Sequence, residues 1–269
     1  DEAARPRFIE TVPKHGYRFI AEIEATDPTQ AATSDRGRRM ALLALAGTIG
    51  GGLAGFAGGL VYGLAGASEP LAQAVGGVSI LLVVLCICIA VALLGAAGVS
   101  LGIALAARGG GNNGPVQLVA GGAVGGLLVG LLTKLVLLDA FRLLFGRAPA
   151  GITGAVEGLI LGTAVGLGGW LAARRSSIRR GAAVAALCGA GAGLVIAILG
   201  RPLMAGSLAL LADQRPGSSL SLDGLAQVLG EAQFGMVSRM VTATLEGALF
   251  GAAIVVAMRL AADQLDGKR

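Results

Sequence analysis

Six apolar stretches dominate this chain, and each is long enough to cross a hydrocarbon core about 30 Å thick as one helix. They cover about residues 40–64, a second run that begins between 78 and 84 and ends at 107, then 116–138, 151–173, 181–199 and 241–260. Only 14% of the 269 residues are charged and the mean hydropathy is +0.79. Soluble domains carry about a quarter charged residues, so composition excludes an ordinary water-soluble globule. An all-α polytopic bundle of six Gly-rich transmembrane helices is expected over 40–262, followed by a tail at 263–269.

Charge placement orients the spans. With the N-terminus in the cytoplasm, the cytoplasmic flanks hold Arg36, Arg38, Arg39, Arg108, Arg174, Arg175, Arg179, Arg180, Arg259, Lys268 and Arg269. The outer flanks and interior hold only Lys134, Arg142, Arg147, Arg201, Arg215 and Arg239. This asymmetry predicts that both termini lie inside. It also accounts for the pI of 9.6 without invoking nucleic acid.

The 46 glycines are patterned. Gly47, Gly51, Gly55, Gly59 and Gly63 recur every four residues, and Gly122, Gly126 and Gly130 do the same. Small residues at this spacing let helix backbones approach closely in lipid, within one chain or in a homo-oligomer. Three internal similarities suggest hairpin repeats. AVEGLILGTAV (155–165) matches TLEGALFGAAI (244–254), VSLGIALAAR (99–108) matches VGLGGWLAAR (165–174), and AGTIGGGL (46–53) matches AGGAVGGL (120–127). The expected units are spans one and two, three and four, and five and six. The connector at 201–240 is the longest.

Charges inside spans are costly, which makes them candidate sites. Glu157 and Glu246 hold matching positions in the similar segments. Lys134 and Asp139 flank the outer end of the third span. The carboxylates are candidates for a cation, a proton or a polar ligand. Lys134 is expected to pair with one of them or to reach outward to headgroups. Cys86, Cys88 and Cys188 lie in apolar runs without metal-ligand spacing, and are expected to be packing residues. GGGNNGP (109–115) lacks the Lys-Ser/Thr ending of a phosphate loop. No nucleophile constellation, metal cluster or cofactor motif is found, and no enzyme is expected.

The front of the chain is different. Phe8-Ile9-Glu10-Thr11-Val12 and Tyr17-Arg18-Phe19-Ile20 are rich in β-branched and aromatic residues, separated by Pro13-Lys14-His15-Gly16. Pro suits the first corner of a type I turn and Gly a closing position with positive φ, which predicts a hairpin. An isolated two-stranded hairpin is marginal in water, so it should belong to a larger domain. The stretch RPRFIETVPKHGYRF resembles the C-terminal wing of OmpR/PhoB-type winged-helix DNA-binding domains. The resemblance rests on Thr11, Val12, Gly16, Tyr17, Arg18 and Phe19, and the Pro-Lys-His-Gly turn is closest to the membrane-anchored CadC/ToxR-like branch. It covers about residues 1–24, and the helix-turn-helix of such domains would precede Asp1.

The resemblance implies promoter DNA as partner, a bacterial cytoplasmic membrane, and Lys14, His15 and Arg18 as wing contacts. Basic side chains there would neutralise phosphates and add little sequence information. Residues 25–39, polar and without apolar periodicity, are expected to be a flexible tether. The leading expectation is a membrane-integrated one-component transcription regulator. A small-solute transporter or channel carrying a DNA-binding head, and a bundle that only anchors the head, are the alternatives.

Overall fold

A computed structural model of the protein describes residues 8–12, 14, 16–20, 28–67, 74–107, 114–145, 154–213 and 221–267. The chain divides into two compact units, Asp1–Arg38 and Arg39–Arg269.

In the first unit, β1 (Ile9–Val12) pairs antiparallel with β2 (Gly16–Phe19). The register sets Ile9 opposite Phe19, Glu10 opposite Arg18, Thr11 opposite Tyr17 and Val12 opposite Gly16. A further backbone bond from Ile20 N–H to the Phe8 carbonyl (2.9 Å) extends the ladder by one step. The hairpin expected from the sequence is present, with one difference at the turn. Gly16 has the expected positive φ (107°), but Lys14 is left-handed too, at φ 66°. A side chain there disfavours the turn by about 1–2 kcal/mol relative to Gly. The tip therefore keeps a lysine against its backbone preference.

The second unit is a helical bundle. After α1 (Pro28–Ala67) come α2 (Ala74–Ala106), α3 (Pro115–Phe145), α4 (Ala155–Ala173) and α5 (Ile178–Ile198). Two short helices follow, α6 (Met204–Asp213) and α7 (Asp223–Val228), and then the long α8 (Met236–Asp266). Six of these, α1 to α5 and α8, are long and apolar enough to cross a membrane. The chain is thus a multi-pass membrane protein in architecture, as its apolar runs require. Most of the stretch read as a tether is helical instead, because α1 begins at Pro28. Pro is tolerated in a first turn, and the Ala, Gln and Arg residues after it favour extending a helix already nucleated by the span.

Helix pairing is set by glycine. A Cβ on Gly126 would overlap the Gly158 carbonyl, one on Gly122 would overlap that of Gly162, and one on Gly130 would overlap that of Gly154. The pair α3–α4 is therefore in backbone contact along its length. The pair α5–α8 repeats this register. Gly193 abuts Ala243, Gly189 abuts Gly247, and Gly251 faces the Ala185 carbonyl. In α1–α2 the matching positions are Gly51 against Ala96, Gly55 against Ala92 and Gly59 against Cys88. The sequence match of 46–53 with 120–127 would have put Thr48 opposite Ala96. The structure moves the phase by three residues, so that a glycine and not a threonine meets the alanine. Between pairs, Gly98 and Gly102 of α2 meet Gly125 and Gly121 of α3.

Two apolar clusters fill the bundle. One contains Ala96, Val99, Ile103, Val165, Ala172, Ala185, Ile254 and Val255, with Phe250 and Met258 packed on it. The other joins Tyr62, Val84 and Cys88 to Ala205, Leu208, Ala209 and Leu222, and so buries α6 against α1 and α2.

Gly193 and Gly191 lie two residues apart on α5, and only the first faces a backbone; nothing lies within 4 Å of a Cβ on Gly191. Gly193→Ala should lower unfolding stability in detergent by about 1–3 kcal/mol through overpacking. Gly191→Ala should leave it unchanged or slightly raised. Equal effects of the two substitutions would refute the close approach.

Candidate functional site

The two intramembrane glutamates end up on one short piece of backbone. Helix α5 stops in a Schellman arrangement: Gly200 is left-handed (φ 70°), its N–H reaches the Ala197 carbonyl (2.9 Å), and Arg201 N–H reaches that of Ile196 (3.1 Å). Gly at this position closes a helix without steric cost. The chain then turns through Pro202 and enters α6 at Met204. The segment from Arg201 to Ala205 is non-helical at its start and lies inside a bundle, where unsatisfied N–H groups are expensive.

Glu157 holds one end of this segment. It lies in the first turn of α4 and is 4% exposed. Its Oε2 accepts the Gly154 N–H (2.6 Å), which caps its own helix, and its Oε1 accepts Nε–H of Arg201. Glu246 holds the other end from α8. Its Oε2 accepts the Met204 N–H and its Oε1 the Ala205 N–H, each at 2.8 Å. The Tyr62 hydroxyl of α1 donates to the same Oε1 at 2.7 Å. Glu246 thus caps a helix that is not its own. Its two acceptor oxygens sit at the positive end of the α6 dipole. The apolar face of α6 completes the fit, with Ala205 at 0% and Leu208 at 3% exposure.

Three helices therefore clasp the α5–α6 junction: α4 through Glu157, α8 through Glu246 and α1 through Tyr62. Every oxygen of both carboxylates already accepts a hydrogen bond from the protein. Chemically this is a closed polar clasp, with a charge-assisted pair on one side and a three-donor cap on the other. Of the two expectations for Lys134, a pair with a glutamate or a reach outward, the first is not what the structure forms. Arg201 supplies the cation, and Lys134 has no ion pair among the described residues. Lys134 instead packs near Gly154, 3.2 Å from where a Cβ on that glycine would lie. The side chain of Asp139 lies outside the described residues. Arg201 and Tyr62 were not singled out in the sequence. Arg201 reads as one outer-flank charge among several. Tyr62 carried a signal, as one of only two tyrosines and the one within a span.

A third carboxylate cap lies beyond α7. Glu231 accepts N–H groups from Gly235 (3.2 Å), Val237 (3.0 Å) and Ser238 (2.8 Å), and the Ser238 hydroxyl at 2.5 Å. These satisfy the free donors at the start of α8. The Ser238 hydroxyl first, then its N–H and those of Val237 and Gly235, hold the Glu231 carboxyl down at about 2.

The opposite end of the bundle is basic. Arg259 of α8 donates to the Ala172 carbonyl (2.9 Å) and to that of Arg175, closing the C-terminus of α4. Arg39 and Asp266 form a two-point pair at 2.8 and 3.2 Å between α1 and α8. On the hairpin, Lys14 is exposed, while Arg18 pairs with Glu10 at 2.6 Å. His15 lies outside the described residues. No group of three or more metal-ligating side chains occurs among the described residues. Comparison with protein-family models, curated proteins and solved structures finds no match.

Arg201→Gln should destabilise the bundle by about 3 kcal/mol, because it strands the buried Glu157 carboxylate. Adding Glu157→Gln should restore much of that loss. A thermal or denaturant unfolding cycle in micelles reads the coupling, and additive effects would contradict the pair. For Glu231, the folded-state value near 2 lies below the ordinary 4.5. Its contribution is complete above pH 4.5 and is lost as pH falls through about 2. Glu231→Gln should therefore lower stability at neutral pH and shrink the loss on acidification over that window.

Proposed function

We propose that this protein is a membrane-integrated one-component transcription regulator. A winged-helix head would bind promoter DNA, and the helical bundle would hold it at the membrane and bias its state. The observation that carries the reading is the hairpin. Thr11-Val12 and Gly16-Tyr17-Arg18-Phe19 pair in one register, with a basic, left-handed tip at Lys14. Tyr17 and Phe19 remain 81% and 58% exposed. Such apolar exposure on a two-stranded ribbon suits a wing that packs on helices of its own domain.

The charges rank the wing contacts. Lys14 presents its ammonium at the tip, whereas Arg18 shares its guanidinium with Glu10. Lys14 is then the stronger phosphate contact and Arg18 the weaker. The bundle contributes three helix pairs built on one glycine register, read here as three hairpin repeats with both termini cytoplasmic. The α5–α6 junction at Arg201–Ala205 is the element whose release would alter packing. A bias of a few kcal/mol suffices to shift a two-state bundle.

A second reading is favoured by the clasp itself. Irregular backbone and a short helix whose N-terminus faces a carboxylate inside the bundle are also features of transporters. The saturation of Glu157 and Glu246 by protein donors weighs against an open solute site.

Chromatin immunoprecipitation of the protein, tagged at its own locus, tests the regulator. Discrete enrichment upstream of genes is expected. Lys14→Glu should reduce it more than Arg18→Glu, and each should act uniformly across sites, as phosphate contacts do. Enrichment no greater than for an untagged strain, or enrichment indifferent to both substitutions, would remove the wing from the account.

A further inference from the structure

We infer that the turn between α4 and α5 is a binding site for the phosphate of an anionic glycerophospholipid. The turn reads Arg174-Arg175-Ser176-Ser177-Ile178-Arg179-Arg180, and all four of its arginines are exposed. The first two directly follow the span that ends at Ala173, and the last two lie in the first turn of the span that begins at Ile178. All four are therefore within one turn of the hydrocarbon edge, at headgroup depth.

The surroundings sharpen this. Arg259 arrives from α8 and fixes itself on the carbonyls of Ala172 and Arg175. Its guanidinium also lies 2.7 Å from where a Cβ on Gly181 would project, so Gly181 leaves room for it beside the start of α5. Five guanidinium groups thus gather on one turn. None of the five has a carboxylate ion-pair partner among the described residues. This contrasts with the same end of the bundle at Arg39, which is neutralised by Asp266. An uncompensated cluster of this kind repels itself unless an anion sits in it.

Trp170 identifies the anion as a lipid. It lies in the last turn of α4, and the Arg174 guanidinium stacks over its ring at 4.0 Å from the centroid. An indole at the edge of a span is an interfacial anchor. The contact engages the face of the ring and leaves the guanidinium its N–H fork. That fork suits two phosphate oxygens at once, which an ammonium cannot match. The apolar side of α4 and α5 would take the acyl chains. Exposed Leu167 on α4, and Ile178 and Leu187 on α5, offer apolar surface on the two helices.

The test is lipid retention by the full chain, measured by native mass spectrometry from detergent, with phosphatidylglycerol and phosphatidylcholine as probes. Phosphatidylglycerol adducts should survive activation that strips phosphatidylcholine. Arg179→Gln with Arg180→Gln should weaken the phosphatidylglycerol adduct about thirty-fold and leave phosphatidylcholine unchanged. The same two positions changed to Lys should keep part of the affinity, and the helical circular dichroism of each variant shows that the bundle is intact. Equal retention of the two lipids, or retention unchanged in the Gln variant, would overturn the proposal. Loss of the adduct to millimolar inorganic phosphate would assign the site to a soluble anion instead. Displacement by a short DNA duplex would assign it to nucleic acid. Either result would overturn the lipid.

Discussion

The carbonyl of Gly158 occupies the space a Cβ on Gly126 would need, and the rest of the bundle follows from that contact. In lipid there is no hydrophobic gain from pressing two apolar helices together. What remains is dispersion, and it grows as backbones approach. Glycines at four-residue spacing let α3 meet α4 along three successive turns. The same spacing, with alanine substituting at some positions, pairs α5 with α8 and α1 with α2. The larger side chains are thereby turned outward, where Leu128, Leu132 and Leu245 are exposed. The glycine faces fix which side of each helix is inside.

Such tight pairing leaves little room for a connector, yet one enters the bundle at Arg201. Its peptide groups need partners that the apolar faces lack. Glu246 supplies them at Met204 and Ala205 while Glu157 takes the Arg201 side chain, and the placement of both is tied to the glycines. Each glutamate directly precedes the first glycine of a Gly-x-x-x-Gly contact, Gly158 in one pair and Gly247 in the other. Identical register in α3–α4 and α5–α8 therefore brings each carboxylate to an equivalent level. One grips a guanidinium and the other a helix start. Two equivalent positions perform different tasks because the connector from α5 to α8 presents a side chain to one and a helix start to the other. The third pair has Val91 at the position matched to Glu157, so it contributes Tyr62 from α1 instead.

Much of this was legible in the sequence. Span number follows from apolar length, and the glycine contacts follow from spacing, since a four-residue period in a helix lines one face. Glu157 and Glu246 stood out because charge in a span is rare. Their partners did not. Arg201 and the N–H groups of Met204 and Ala205 reach the glutamates only through the fold-back of the connector, a long-range event with no local signature beyond Gly200 and Pro202. The match of 46–53 with 120–127 gives the wrong phase for α1 on α2 for a related reason. Glycine every four residues aligns with itself at several offsets, and only packing against Ala96 selects Gly51. The polar residues at 28–39 show no apolar period and half of them are poor helix formers, so their helix is legible only as a continuation of one that the span has nucleated.

The clasp is tested most directly by hydrogen exchange at Met204 and Ala205 in lipid nanodiscs. If Glu246 holds these two N–H groups, they should exchange as slowly as amides within the spans, and Glu246→Ala should release them while the amides of α3 and α4 stay protected. Exchange at Met204 and Ala205 as fast as in an open loop of the native protein would contradict the clasp, and with it the account of why the two glutamates lie in the membrane.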